Sequence, residues 1–481
     1  METKDNFQPS ALKKDSLGWL NIVFLVIATN GPLIALAGGA PIVIALGNGI
    51  GAVGTYALIG ILYLVFSVGF CAMSPHVKNG GAFFAYIARG TNLQLGVGAA
   101  FIAIFLYNST VVGLYAMIGF FISLAIQTHL GLTIPWWLCS ILSTGVVYYF
   151  GYRNINFSGR VLFALMLLEV GLLVALDAAI ALHHPGGQPY SFAPISPSHV
   201  FGHGFGQSVV LVVSCFVGFE TTAIYSEETR DPERSIPRAT FTAITIIAVL
   251  YSISVWLVIN GVGDSQAVAM AAKDPGSMWF TIAARFLGEP AFDVMSVLMI
   301  TSILAGLISL HNTGSRYLYV MGREGVLWNK LSVVHKTQLT PWVAGALQVS
   351  IAVVLIAISA AVGADPILTV SPLACVPLAI GIVTVQAMTS FAVVSFFNRA
   401  PRGTSLWQRT IAPFTSAVAL IVCLILMLCN VSTITGTDSM IGRVLAWGTL
   451  AVGIVGIAYA YRMRSTRPGV YGRLGKILDE T

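Results

Sequence analysis

Ionisable side chains are scarce in the long apolar runs of this chain, and the few that occur there are the first candidates for chemistry. Glu169 interrupts Leu167-Leu168-Glu169-Val170-Gly171, Glu220 closes Val217-Gly218-Phe219-Glu220, and His311 precedes Asn312 in a further apolar run. Apolar surroundings disfavour the charged form of a carboxyl, so a group placed there can take up and release a proton near neutral pH. Glu169 is therefore read as a proton-coupling site. The plainer alternative is a protonated acid hydrogen-bonded to a neighbouring helix. Glu220 is read as a gate or a second titrating group. Asp177, eight residues beyond Glu169 and about two helical turns on, is either a proton relay or an interfacial carboxylate. His311 is a ligand, a further proton group or a satisfied buried histidine. Tyr107 and Asn108 interrupt another apolar run and are candidates to face a substrate.

Two further places offer backbone chemistry. The first apolar run contains Asn30-Gly31-Pro32 and then Gly38-Gly39-Ala40-Pro41, and the sixth contains Val217-Gly218-Phe219. Proline removes an amide donor and clashes with the preceding turn, and glycine weakens a helix interior. A helix broken at membrane depth exposes amides at one half-helix end, which suit a carboxylate. It exposes carbonyls at the other end, which suit an ammonium group. Two such breaks facing each other would hold a zwitterion. A lone break is often no more than a kink, but breaks at corresponding places in two halves point to a transporter site.

The elements that must position these groups are membrane helices. The chain has 481 residues, of which 56% are hydrophobic and only 9% charged. Soluble domains carry roughly 25% charged residues, so this surface requires lipid. The net charge of +6 does not indicate nucleic acid, because the basic residues are spread over short connections. The six cysteines sit in apolar segments without a CxxC pair and are read as small buried hydrophobes. A span needs roughly 20 apolar residues. Twelve segments qualify: 19–46, 50–73, 94–127, 133–151, 156–182, 204–229, 237–262, 290–321, 341–361, 368–396, 411–430 and 440–461. With both ends on the cytoplasmic side, all but three of the 25 basic residues (Lys273, Arg285 and Arg443) fall inside, as the positive-inside rule requires. Residues 1–18 are polar, show no cleavable signal and are read as a cytoplasmic tail, as are residues 462–481.

Three motifs resemble a known family. Phe216-Val217-Gly218-Phe219-Glu220, followed by Ser226-Glu227-Glu228-Thr229-Arg230-Asp231-Pro232-Glu233 up to Ala239, is similar to the sixth span and following loop of the amino acid–polyamine–organocation permeases. Gly80-Gly81-Ala82-Phe83-Phe84-Ala85-Tyr86 resembles the motif after their second span, and Asn312–Gly325, with Ser315-Arg316 and Met321-Gly322-Arg323, looks like the end of their eighth. The resemblance covers nearly the whole chain and implies an all-α integral membrane protein of the leucine-transporter-like fold. That fold is a five-plus-five inverted repeat with broken helices 1 and 6 and two C-terminal helices. Here residues 19–182 would form the first repeat, 204–396 the second and 411–461 the two extra spans.

The resemblance also implies a substrate site between spans 1 and 6, with spans 3, 8 and 10 helping. Ser214, Cys215, Phe216, Val217 and Gly218 would supply carbonyls for an amine and an aromatic gate. The family's glycine-rich motif in span 1 would fall near Ile34-Ala35-Leu36, which lacks the glycines. Asn30-Gly31 or Gly38-Gly39 would take over the unwinding. In some proton-coupled relatives a lysine stands in for a sodium ion where Glu169 falls here.

Other signals carry less. His199 and His203 are spaced i, i+4, but no third metal ligand accompanies them. Gly80-Gly81 has no following GKS/T, and no Walker motif occurs. Residues 278–286 read as a helix in an extracellular lid. The chain is thus expected to be a secondary transporter of an amino acid or related amine in the cytoplasmic (inner) membrane, coupled to protons. An exchanger or a polyamine permease is the alternative. A membrane-embedded enzyme would need clustered acids or histidines such as DxxxD, and a channel would not explain paired breaks. No cofactor is called for. The expected partners are the substrate, H+ and the bilayer, and the sequence leaves the oligomeric state open.

Overall fold

The structure is a computed structural model, and it describes residues 18–77, 82–153, 159–183, 189–220, 222, 229–323, 325–338, 340–434 and 439–479. Among the described residues the chain is all-helical, and ten helices are long and apolar enough to cross a membrane. The chain is a multi-pass membrane protein. Gly80-Gly81, Thr221, residues 223–228 and Glu324 lie outside the described residues, and with them part of each loop motif.

The first span is Trp19–Leu46, built from α1 (Trp19–Asn30), a π-helical turn (Ile34–Gly39) and α2 (Ala40–Leu46). Next come α3 (Ala52–Met73), α4 (Ala82–Gly90), α5 (Leu93–Leu130), α6 (Trp136–Tyr152) and α7 (Gly159–Leu182). Helix α8 (Phe205–Cys215) ends in a turn, and α9 (Pro232–Val262) follows. Two short helices follow: α10 (Asp264–Lys273), which the sequence reading did not name, and α11 (Met278–Leu287), which covers the helix read at residues 278–286. The chain continues through α12 (Pro290–Arg323), α13 (Trp342–Ala361), α14 (Ser371–Arg399), α15 (Ala412–Asn430), α16 (Met440–Thr466) and α17 (Pro468–Asp479).

Two of the twelve expected segments are not among the ten long helices. Helix α6 has 17 residues, and α8 has 11 because it stops where Cys215 meets the expected break.

Helix α5 is the mast of the molecule. It has 38 residues and packs against α6, α12, α14 and α16. Helix α9 packs on α1, α3 and α7. The core is continuous through these contacts and includes large aromatic rings such as Tyr56, Tyr63, Phe66, Phe216, Tyr251 and Trp279. The outer faces are equally apolar. Leu142 and Val146 on α6, Val354 and Ile358 on α13, and Ile425 on α15 are exposed. In water such a surface would drive aggregation. Around a membrane protein it is the lipid-facing wall.

Candidate functional site

The span-1 break is local and has a clear cause. Gly31 adopts φ 62°, a left-handed conformation that closes α1, and Pro32 cannot donate to the helix it would continue. The chain re-enters through the π-helical turn over Ile34–Gly39, in which the Ala40 amide reaches back to the Ala35 carbonyl. Of the two expected unwinding points, Asn30-Gly31 is the break, while Gly38-Gly39 lie in the widened turn. Helix α8, in the sixth expected segment, ends at Cys215, with Gly218 at φ 127° in the turn that follows.

The two breaks face each other and are tied by one side chain. Asn30 Nδ2 donates to the Cys215 carbonyl at 2.9 Å and to the Val217 carbonyl at 3.1 Å. Asn30 Oδ1 accepts from the Tyr251 hydroxyl on α9. Three of its four hydrogen-bonding positions are thus used to join α1, the turn after α8 and α9. The Cys215 thiol adds a contact to the Ala35 carbonyl at 4.0 Å and lies 3.5 Å from the Tyr56 hydroxyl on α3.

Between the breaks lies a cavity of about 140 Å³. Of the residues expected at the site, Asn30, Ile34, Ala35, Gly38, Gly39, Tyr107, Ser214, Cys215, Val217, Gly218 and Glu220 line it. Gly31, Asn108, Phe216, Glu169 and His311 do not. The Phe216 ring turns away and packs among Tyr63, Tyr251 and Tyr56, with centroids 5.6, 5.6 and 6.4 Å away. The Asn108 amide donates to the Ile104 carbonyl of its own helix.

Much of the wall was not named by residue in the sequence. Helix α12 contributes Gly306, Ser309, Leu310 and Thr313, and α14 contributes Ser371, Pro372, Cys375 and Leu378. Pro377 lies inside α14, and the carbonyls near it accept from other helices: Ala374 from Ser109 Oγ at 3.1 Å, and Cys375 from Ser214 Oγ at 3.4 Å. The Ser-Pro pair at 371–372 and Pro377 were the available signal. Asp365 caps the entry to this helix, its Oδ1 accepting from the Ile367 and Leu368 amides at 2.8 and 2.6 Å.

The carboxylates fall at three different places. Glu220 closes the span-6 turn, where its Oε2 accepts from the Gly218 amide at 2.8 Å. Glu169 on α7 is 4% exposed and lies behind the span-1 break. It accepts from Ser302 Oγ on α12 at 3.0 Å and from the Leu33 amide, just past the break. Asp177 is buried and accepts from Ser254 Oγ on α9 at 2.5 Å. His311, 4% exposed, faces a second and separate cavity between α6, α12 and α13. No group of three or more metal-ligating side chains occurs among the described residues. His199 instead pairs with Ser196 Oγ at 2.8 Å.

Comparison with known proteins completes this picture. The amino acid permease family model matches residues 26–466. The chain belongs to the amino acid permease family. The permease is 27% identical over 206 residues to a branched-chain amino acid permease, BcaP, of Bacillus subtilis, covering 41% of this chain and 40% of that relative. It is 23% identical over 371 residues to the serine/threonine exchanger SteT of B. subtilis, covering 75% and 79%. It is 24% identical over 296 residues to the low-affinity putrescine importer PlaP of Escherichia coli, covering 60% and 62%. The matches to the two branched-chain permeases span only 40% and 37% of those relatives' length.

Proposed function

We propose that the permease imports a neutral amino acid with an apolar side chain across the cytoplasmic membrane, by alternating access and coupled to protons. The observation that carries this reading is the meeting of two helix breaks across one cavity, joined through Asn30. The half-helix that starts after Gly31 presents its positive end to the cavity, and α8 presents its carbonyl end. A zwitterion satisfies both. Ile34, Ile42, Leu114, Met117, Leu211 and Leu310 form an apolar wall suited to an aliphatic side chain.

In this reading α6 and the broken α8 join the ten long helices as the remaining two of twelve spans. The spans form the five-plus-five inverted repeat, both ends are cytoplasmic and Glu169 carries the coupling proton. A second reading rests on Glu220, whose carboxylate borders the cavity and would suit an aliphatic amine. The named activities of SteT and PlaP make exchange and amine uptake the alternatives to test.

Uptake of labelled amino acids and polyamines into proteoliposomes separates these readings. Leucine-like substrates should accumulate saturably when the interior is alkaline. Accumulation of putrescine with no amino acid uptake would replace the first reading with the second. Uptake that needs preloaded substrate and ignores the pH gradient would make the protein an exchanger.

The cavity wall supplies a further prediction. A Cβ added at Gly306 would come no closer than 3.9 Å to any neighbour, so it projects into open cavity space. Gly306→Ala should fold and gain up to about 1 kcal/mol of helix propensity. It should raise KM for leucine about tenfold and leave KM for glycine within about twofold, since one methyl is worth 10–200-fold in a fitted apolar pocket. Equal effects on both substrates would place the side chain elsewhere.

A further inference from the structure

We propose that the second cavity, between α6, α12 and α13, is a binding site for a phosphate-bearing anion, with the headgroup of an anionic phospholipid as its natural source. The cavity measures about 80 Å³ and is lined by Tyr148 and Tyr152 on α6, His311, Asn312 and Arg316 on α12, and Trp342 at the start of α13, among others. No carboxylate lines it among the described residues. Arg316 is exposed and, among the described residues, makes no ion pair or hydrogen bond, and the Asn312 amide and Tyr148 hydroxyl likewise have no hydrogen-bond partner among them. A cation and two neutral donors thus face one recess with nothing to bind. The remaining polar groups are already fixed and shape the walls. Tyr152 Oη pairs with His335 Nε2 at 2.8 Å, Thr340 Oγ1 donates to the Tyr152 carbonyl at 3.0 Å, and Ser315 Oγ donates to Gln348 Oε1 at 3.4 Å.

The backbone points the same way. Helix α13 is 20 residues long, and its N-cap is Pro341, which offers no side-chain cap. In the first turn of α13 the Trp342 and Gly345 amides already donate to the Thr340 and Pro341 carbonyls at 2.9 and 3.1 Å, so what the helix adds beside the recess is the positive end of its dipole. His311, 4% exposed, has its ring against Gly151 of α6 and Gly345 of α13. Arginine with amide donors is the combination that recognises phosphate oxygens.

Exposure around the cavity favours a lipid as the source. Tyr149 on α6 and Leu347 and Ile351 on α13 are exposed, which leaves an apolar course for acyl chains beside the recess. Trp342 on the rim is 39% exposed and the nearby Trp328 is 61% exposed, a placement that suits the membrane–water interface. Basic recesses between spans are the usual form of an anionic headgroup site.

The test uses the purified full-length permease. Phosphatidylglycerol and phosphatidylcholine are titrated and retained lipid is counted by native mass spectrometry, while inorganic phosphate is titrated in a thermal-shift assay. The wild type should retain one phosphatidylglycerol about tenfold more tightly than phosphatidylcholine. Arg316→Gln should lose about tenfold, the loss expected of one charge-assisted contact. Arg464→Gln, which removes an exposed charge on α16 outside the cavity, should lose nothing. Asn312→Ala keeps every charge and should weaken binding severalfold, which covers the case of Arg316→Gln failing to fold. Phosphate protection that is lost in Arg316→Gln, without lipid preference, would keep the anion site and assign it to a free phosphate. Equal retention of both lipids and equal response to phosphate in all four proteins would overturn the proposal.

Discussion

Asn30→Ala should abolish substrate accumulation while leaving the protein in the membrane, with a lowered melting temperature after purification. The substitution removes all three bonds of the side chain that joins the two breaks, leaving the Cys215 and Val217 carbonyls and the Tyr251 hydroxyl without their partner. An unpaired buried polar group costs about 1–3 kcal/mol. The cavity beside the two carbonyls can admit water, so the total should be about 2–4 kcal/mol instead of the full sum. Tyr251 is fully buried and has no such relief. Transport should suffer more than stability. Both half-helix ends must be held in register for one substrate to touch both, and a misplacement of about 1 Å costs on the order of 100-fold. Asn30→Asp should fare no better, since a carboxylate would face two carbonyls with nothing to donate. Tyr251→Phe removes only the third bond and should lose about 1 kcal/mol and a modest part of the rate. Substrate uptake with unchanged KM and rate in Asn30→Ala would show the bridge to be dispensable.

The breaks themselves were legible because their causes are local. Gly31, Pro32 and Gly218 act on their own backbone, and a reader needs no tertiary information to see it. The direction of a side chain around a long helix is another matter, because each residue turns it by about 100°. On α12, Gly306, Ser309, Leu310 and Thr313 face the central cavity, while His311, Asn312 and Arg316 face the second one. All but Leu310 are mid-helix polar or small residues in a sequence that gives no phase. The same ambiguity misplaced Asn108, which bonds to its own helix one position from the cavity-lining Tyr107. Phe216 shows the converse case. It stands between Cys215 and Val217, both on the cavity, yet an aromatic cluster from α3 and α9 claims its ring. The resemblance implies that the tenth span helps, but which residues of α14 do so was hidden by distance along the chain, for Ser214 and Cys375 meet across 161 residues. Asn30 was legible as part of the break, whereas its bonds to the Cys215 and Val217 carbonyls and to Tyr251 depend on where the turn after α8 and α9 lie.

Glu169→Gln should uncouple the permease: gradient-driven accumulation should fall more than tenfold, while exchange against preloaded substrate continues. The carboxyl is 4% exposed and outside the substrate cavity, so its replacement need not touch substrate binding. Its two partners explain how a proton there could be felt. Ser302 Oγ donates from α12, which also lines the cavity, and the Leu33 amide donates from the first turn after the span-1 break. A charged carboxylate binds both donors strongly and lies at the positive end of the half-helix, which holds α7, α12 and the break together. A protonated acid accepts more weakly and loosens that tie, which is what a coupling site must do as it loads and unloads. Glutamine has the same shape and keeps one acceptor oxygen, which can take the Ser302 hydroxyl, but it is fixed in the uncharged condition. It should therefore keep the fold and the binding step and lose the response to pH. Uptake by the wild type should rise as the outside is acidified relative to the inside, and uptake by the variant should be flat over the same range. Glu169→Leu removes the acceptor altogether and should lower the melting temperature as well, since Ser302 and the Leu33 amide would then be buried unpaired. Measuring both variants separates coupling from support: loss of accumulation in Glu169→Leu alone, with normal pH-dependent accumulation in Glu169→Gln, would leave Glu169 as a structural acceptor and place the proton elsewhere.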